Sequence, residues 1–284
     1  MKKCLGILLL TTMITSDIYS QQTDSSGQKS AQMQNEKAFT IKPWVDIPVT
    51  LALDIWSYYG LHVINGRDLI PEAEIRMLNK NNINSFDRPI ADNYSPKSKS
   101  ASDKFFFGSM PLPLLLLLDK KIRKDGLKVG LLYLETMGTT GALYTISAML
   151  ANRYRPYAYN ENVDIDTRTK GGVKNSFFAG HPALVASCTF FTAQVYAHYH
   201  PNMKCKWILY TIAAGATAAT GILRMQSGNH FRTDVITGVT LGTLVGIFVP
   251  YIHQNRSFAK HKLALLPNFQ HGATGFTAYY KLGK

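Results

Sequence analysis

Apolar and polar positions fall into blocks along this chain rather than alternating residue by residue. Lys2 and Lys3 precede a short apolar run, Leu5 to Ile14, and small and polar residues follow up to Ser20. That is the pattern of a secretory signal peptide over residues 1–20, with cleavage expected after Ser20. Residues 21–43 are rich in Gln, Ser, Asn and Lys without apolar periodicity, so they read as a flexible leader. Apolar segments then occupy 44–64, 105–118, 127–151, 182–199, 207–223 and 235–251, separated by turn-rich polar loops. The last three are the cleanest, and each is at or just under the about 20 residues that a helix needs to cross a bilayer. Buried helices of a soluble bundle explain any one segment nearly as well, but six in series favour the membrane. Alternation of β type is confined to 262–266 and 274–282. The expectation is an all-α domain over 44–262, a six-helix bundle embedded in a membrane, followed by a short β-like tail at 263–284 that can form a hairpin.

Composition is consistent with this. Of the 284 residues 46% are hydrophobic and only 17% charged, which excludes a long disordered chain or a polar fibre. Mean hydropathy is nevertheless only -0.06, so apolar helices must be averaged with long polar stretches. The net charge of +13 points to an anionic partner or surface. Much of it flanks the apolar segments: Lys120 to Lys128, Lys204 with Lys206, and Arg256 to Lys262. By the positive-inside rule these loops are cytoplasmic, and the other ends of the same helices meet on the exported side. If the signal is cleaved and 44–64 also spans, the number of crossings has the wrong parity, so the place of that first segment stays open. Basic residues flanking helices, without a continuous patch of base-stacking aromatics, disfavour nucleic acid.

The exported ends collect the polar residues on which chemistry can be built. In chain order they are Arg153-Tyr154-Arg155-Pro156, Ser176 to His181, and Arg224 with His230 and Asp234. Singly, each has a bland reading as a helix end, a cap or a solvated pair. Together they resemble the three blocks of the type 2 phosphatidic acid phosphatase and vanadium haloperoxidase superfamily: Lys-x6-Arg-Pro, Pro-Ser-Gly-His and Ser-Arg-x5-His-x3-Asp. Here these are Arg155-Pro156, Phe178-Ala179-Gly180-His181 and Leu223-Arg224-x5-His230-x3-Asp234. The resemblance covers about residues 44–253, and the third block is its most specific part. The chain departs from the pattern at Ala148 in place of the lysine, Phe178 in place of the proline, and Ala179 and Leu223 in place of the two serines.

The resemblance implies a phosphatase of a lipid phosphate or pyrophosphate, such as phosphatidate, a polyprenyl pyrophosphate or a phosphorylated lipid A, in the membrane lipid phosphatase branch. His230 would be the nucleophile that forms a phosphohistidine, and His181 the general acid and later base. Asp234, four residues on, would take the proton on one ring nitrogen of His230. The residues agree with those roles on their own chemistry. Arg155 and Arg224 offer planar forks to phosphate oxygens, and Gly180 allows close backbone approach at a helix start. Arg153, Lys170 and Lys174 are candidates to replace the missing lysine charge. No carboxylate cluster accompanies these residues, so no metal and no other cofactor is expected, and Asp164 and Asp166 read as solvated loop acids. The expected partners are a phosphorylated lipid and the membrane, and the expected location is a bacterial inner membrane with the site facing the periplasm or exterior. A vanadate-dependent haloperoxidase and a headgroup-binding protein with a weakened site are the alternatives.

Overall fold

A computed structural model of the chain describes residues 38–255, 263–270 and 273–280. The expected signal peptide, nearly all of the leader and the basic run from Arg256 to Lys262 lie outside the described residues. Six long helices carry the architecture: α1 (Pro43–Asn65), α3 (Pro96–Ser109), α5 (Gly126–Ala151), α7 (Gly180–Tyr199), α8 (Lys206–Gln226) and α9 (Arg232–Ile252). Short helices α2 (Glu72–Arg76), α4 (Lys120–Lys124) and α6 (Ile165–Arg168) lie in the connections, with several 3-10 turns. Strands β1 (Leu263–Gln270) and β2 (Ala273–Tyr280) pair antiparallel, from Leu263 opposite Tyr280 to Gln270 opposite Ala273.

Five of the apolar segments reappear as α1, α5, α7, α8 and α9. The segment expected at 105–118 does not form one helix. Ser95 caps Ser98 N–H at 3.2 Å and Pro96 opens α3, so the helix begins nine residues earlier, in a polar stretch. Pro111 and Pro113 then end it, since each lacks an N–H and disfavours helix in the residue before it. The leucine run continues as a 3-10 helix, Leu112–Leu118.

Contacts at the helix ends settle the direction of each long element. At one end Thr40 N–H donates to His253 O (2.8 Å), Tyr199 Oη donates to Asp125 (3.0 Å) and His200 lies 2.9 Å from Asp119. At the other, Asn175 Nδ2 donates to Ile64 O (2.9 Å), Asn93 Nδ2 to Met225 O (3.0 Å) and Ala179 N–H to Asp234 O (3.0 Å). The six long helices therefore alternate in direction, and residues 38 and 255 lie at the same end, beside the basic stretch 120–128. The first apolar segment is a full member of the bundle, packed along α5. Under the charge rule residue 38 is then on the cytoplasmic side, whereas a cleaved signal would deliver residue 21 to the opposite one.

Small residues allow the helices to approach closely, as in membrane packing. Gly238, Gly242 and Gly246 form one stripe of α9, and a Cβ on them would sit 2.4, 2.1 and 2.7 Å from the carbonyl oxygens of Ala179, Ala183 and Ser187 on α7. Ser187 Oγ bonds Thr140 Oγ1 (2.7 Å) and Gly242 O (3.1 Å), joining α5, α7 and α9. The outward faces are apolar: Trp44 and Leu127 are each 94% exposed, and α8 and α9 present Trp207, Ile212, Leu244 and Phe248. Among the described residues three stretches, Pro96–Leu118, Lys206–Gln226 and Arg232–Ile252, are long and apolar enough to cross a membrane.

Candidate functional site

The site occupies the end of the bundle away from the basic stretch. α5 stops at Asn152, whose φ of 44° is a left-handed helix end, and the chain then crosses the bundle before re-entering as α7. Arg155 follows in extended backbone, as the residue before a proline should. Its Nε donates to Gly172 O (3.1 Å) and its Nη1 to Asn229 Oδ1 (2.6 Å), leaving Nη2 unpaired among the described residues. Arg224 enters from the last turn of α8 with its side chain only 3% exposed. Its Nη2 donates to Asp103 Oδ1 at 2.8 Å, while its Nε is buried without a hydrogen-bond partner among the described residues. An unpaired buried donor costs about 1–3 kcal/mol, so this nitrogen calls for an acceptor from a ligand.

His230 is 2% exposed and lies just ahead of α9. Gly228 makes the preceding turn at φ +72°, where a Cβ would meet Asn93 O at 2.1 Å, so only glycine fits. His230 Nδ1 lies 2.7 Å from Ser176 O. A carbonyl only accepts, so Nδ1 carries the proton and Nε2 keeps its lone pair. Burial, then the nearby charges of Arg155 and Arg224, push the ring well below its ordinary titration range, so it is neutral.

Asp234 is fully buried but is not the partner of His230. α9 begins only at Arg232, so His230 precedes the helix and the two do not share a helical face. Asp234 Oδ2 instead accepts Ser176 Oγ (2.6 Å) and Phe231 N–H (2.8 Å), and Oδ1 accepts Arg153 Nη1. Ser176 is thus the link: its hydroxyl binds Asp234 and its carbonyl fixes the His230 tautomer.

The candidate replacements for the lysine charge are engaged elsewhere or exposed. Arg153 lies between Asp234 and the wholly buried Asp87 (2.8 Å), with its guanidinium 4.4 Å from the centre of the Phe231 ring. Burial would raise the Asp87 carboxyl, but hydrogen bonds from Thr233, Arg153 and Asn84 hold it below its ordinary range. Lys174 pairs with Glu74 at 2.8 Å over the Tyr154 ring, and Lys170 is exposed. The α5 turn at Ala148 is met by another cation, Arg67, which donates to Ala148 O (3.1 Å) and Asn175 Oδ1 (2.8 Å).

His181, the second residue of α7, has its Nε2 3.3 Å from the same Asp103 oxygen that Arg224 binds, and Phe106 packs on its ring at 4.2 Å between centres. Gly180, which opens α7, faces Tyr144, whose ring a Cβ would meet at 3.0 Å. Asp103, Asp87, Ser176 and Asn229 carry much of this geometry, and the sequence reading assigned none of them a role. Ser176 stood within the second block, and Asp103 is the only acid of α3. The fold thus brings Arg155, Gly180, His181, Arg224 and His230 together at one end of the bundle, with Asp234 behind them. Among the described residues no group of three or more His, Cys, Asp or Glu is arranged to hold a metal ion.

Residues 129–258 match the family model of the PAP2 superfamily. Among curated proteins, a lipid A 4'-phosphatase of Porphyromonas gingivalis is 29% identical over 99 residues, 34% of this chain and 39% of the relative. A bacitracin transport permease protein, BcrC, of Bacillus licheniformis is 29% identical over 120 residues, 42% of this chain and 53% of that protein. The chain thus spans about half or less of the length of these relatives. A solved PAP2-type phosphatidylglycerolphosphate phosphatase from Bacillus subtilis is 20% identical with a TM-score of 0.43, covering 73% of this chain and 94% of that one. With its apolar helices and exposed apolar faces, the chain is a membrane protein.

Proposed function

We propose that this chain, whose residues 129–258 carry the PAP2 superfamily pattern, hydrolyses a phosphate or pyrophosphate ester of a membrane lipid through a phosphohistidine at His230. The observation that carries this reading is the state of His230. It is neutral, held by Ser176 O so that Nε2 has a free lone pair, and it lies beside two guanidinium groups, one with an unpaired buried N–H. Phosphoryl transfer needs positioning and stabilisation of charge on the nonbridging oxygens more than it needs covalent assistance. Arg155, Arg224 and the first N–H groups of α7 supply that stabilisation. Burial, then the charges of Arg224 and Arg155, push the free His181 ring down to about 2, so it is neutral. It takes up a proton only with the substrate, whose phosphate charge offsets those guanidinium groups. Nε2 of His230 attacks phosphorus, the bond to the lipid oxygen breaks, and His181 passes that proton to the oxygen. Water then loses a proton to His181 and attacks the phosphohistidine, returning free His230 and releasing inorganic phosphate. Asp234 acts from behind, through Ser176. Because the pocket is at the end away from the basic stretch, the charge rule turns it towards the periplasm of a bacterial inner membrane.

The test is phosphate release by the purified chain in detergent from phosphatidate, a polyprenyl pyrophosphate and lipid A, with and without a chelator. Release from at least one of them, lost in His230→Ala and insensitive to chelator, is expected. A folded protein that releases phosphate from none of them, or a His230→Ala variant that still does, would overturn the reading. Vanadate-dependent halide oxidation in place of phosphate release would favour the peroxidase alternative.

A further inference from the structure

A groove of about 340 Å³ runs between α3, α7 and α8, and the three helices that wall it are those that bring Asp103, His181 and Arg224 to the site. It begins beside the site, where Lys104 follows Asp103 at its rim, and deepens from there: Val185 is four residues after His181, and Gly108 five after Asp103. Ala216 and Ile212 lie eight and twelve residues before Arg224, so at 1.5 Å per residue the groove continues to about 18 Å below the guanidinium, towards the middle of the bundle. Below the exposed Lys104 its floor is apolar although it contains hydroxyls. Thr189 Oγ1 donates to Val185 O (2.7 Å) and Ser109 Oγ to Phe106 O (2.9 Å), so neither has a donor left to be wasted against a hydrocarbon. The mouth is open, with Phe105 40% and Ile212 61% exposed. At Gly108 a Cβ would meet nothing within 4 Å, so the missing side chain leaves space inside the groove.

We infer that this groove holds one hydrocarbon chain of the lipid whose phosphate occupies the site, an inference that rests on the proposed phosphatase reading for the identity of the headgroup. Such a chain leaves the headgroup at Arg224 and descends between α3 and α8 without leaving the bilayer. The shared walls fix its register, because a phosphate on Arg224 and His181 puts the first methylenes against Val185 and Gly108. Burial of each methylene favours binding of long chains over short ones, so the groove makes the enzyme selective for lipid over soluble phosphates.

Gly108→Trp fills the groove, and Gly108→Ala, which leaves it open, controls for the helix. Rates on phosphatidates with four-, eight- and sixteen-carbon chains, and on chainless p-nitrophenyl phosphate, give one readout. A sixteen-carbon phosphatidate carrying a diazirine in its chain, photocrosslinked and mapped by mass spectrometry, gives a second that needs no turnover. We expect kcat/KM of the native chain to rise at least tenfold from four to sixteen carbons. Gly108→Trp should lose that rise while keeping the p-nitrophenyl phosphate rate, and crosslinks should fall on 105–112 and 212–216 and vanish in this variant. Full chain-length dependence in Gly108→Trp, or crosslinks outside those segments, would overturn the groove. Crosslinks inside them on a protein without turnover would uphold the groove and sink the phosphatase reading.

Discussion

Replacing Asp103 with Asn removes the one carboxylate that touches both Arg224 (2.8 Å) and His181 (3.3 Å) while keeping its size. Arg224 is nearly all buried, so its bond to Asp103 is one to a charged group, worth about 1.5–3 kcal/mol. Asp103 itself is a third exposed, and water will screen part of this, so about 2 kcal/mol is the working figure. If that energy holds His181 in place to protonate the leaving oxygen, its loss slows that step about 30-fold. The penalty depends on the leaving group. An alkoxide from a lipid needs the proton, whereas p-nitrophenolate leaves without it. Stopped-flow measurement of the first turnover on both substrates separates the cases: we expect phosphatidate to slow about 30-fold and p-nitrophenyl phosphate less than about threefold. Equal slowing on both would mean that Asp103 supports the pocket only as a whole. An unchanged lipid rate would refute a positioning role altogether.

Other consequences can be checked separately. Asp87→Ala takes a buried carboxylate from Arg153, Thr233 and Asn84; a loss of about 3 kcal/mol is expected, read as a lower unfolding midpoint in detergent. His230 is neutral when folded and titrates near 6.5 when unfolded, so above that pH it adds no pH dependence. Below it the unfolded chain binds a proton that the folded one refuses, and stability should fall by up to about 1.4 kcal/mol per pH unit. Thermal melts of the native chain and His230→Asn between pH 5 and 8 should therefore converge on acidification, and parallel curves would count against a neutral His230. Cysteine introduced at Lys170 should be labelled by an impermeant reagent from the exported side, and cysteine at Lys124 only after permeabilisation. Labelling of both from one side would break the alternating arrangement.

The long helices were legible because their apolar content extends past the length of a soluble helix's buried stripe. α5, α7, α8 and α9 are bounded within a few residues of where the apolar runs begin and end. α3 was misplaced because the two cues conflict there. Its first nine residues, Pro96–Lys104, are polar since they face the site end, and the leucines after it are interrupted by prolines that no hydropathy average registers. The bounds of α1 were equally plain, 44–64 against Pro43–Asn65, but its place in the bundle stayed open. Its contacts with α5 are made by Gly60, Gly138 and Gly141 against Thr145, Asp54 and Ser57, and small residues leave no apolar signal in the sequence.

The site divides along the same line between local and distant information. Arg155, His181, Arg224 and His230, which the fold brings together, each lie in a short block whose spacing is fixed by a helix end. What sets their chemical state comes from elsewhere in the chain. Asp103 meets His181 across 78 residues and Arg224 across 121, and Asp87 meets Thr233 across 146; no local spacing encodes such pairs. The misassigned contact of Asp234 has the same origin. An i,i+4 pair is only a pair inside a helix, and here α9 begins between the two residues. Asp234 then satisfies the N–H of Phe231 that the helix start leaves free, and passes its influence to His230 through Ser176. This arrangement has a chemical consequence that a direct carboxylate contact would not. A carboxylate on Nδ1 would raise the basicity of His230, whereas a neutral carbonyl there leaves the ring unprotonated and available as a nucleophile beside two arginines.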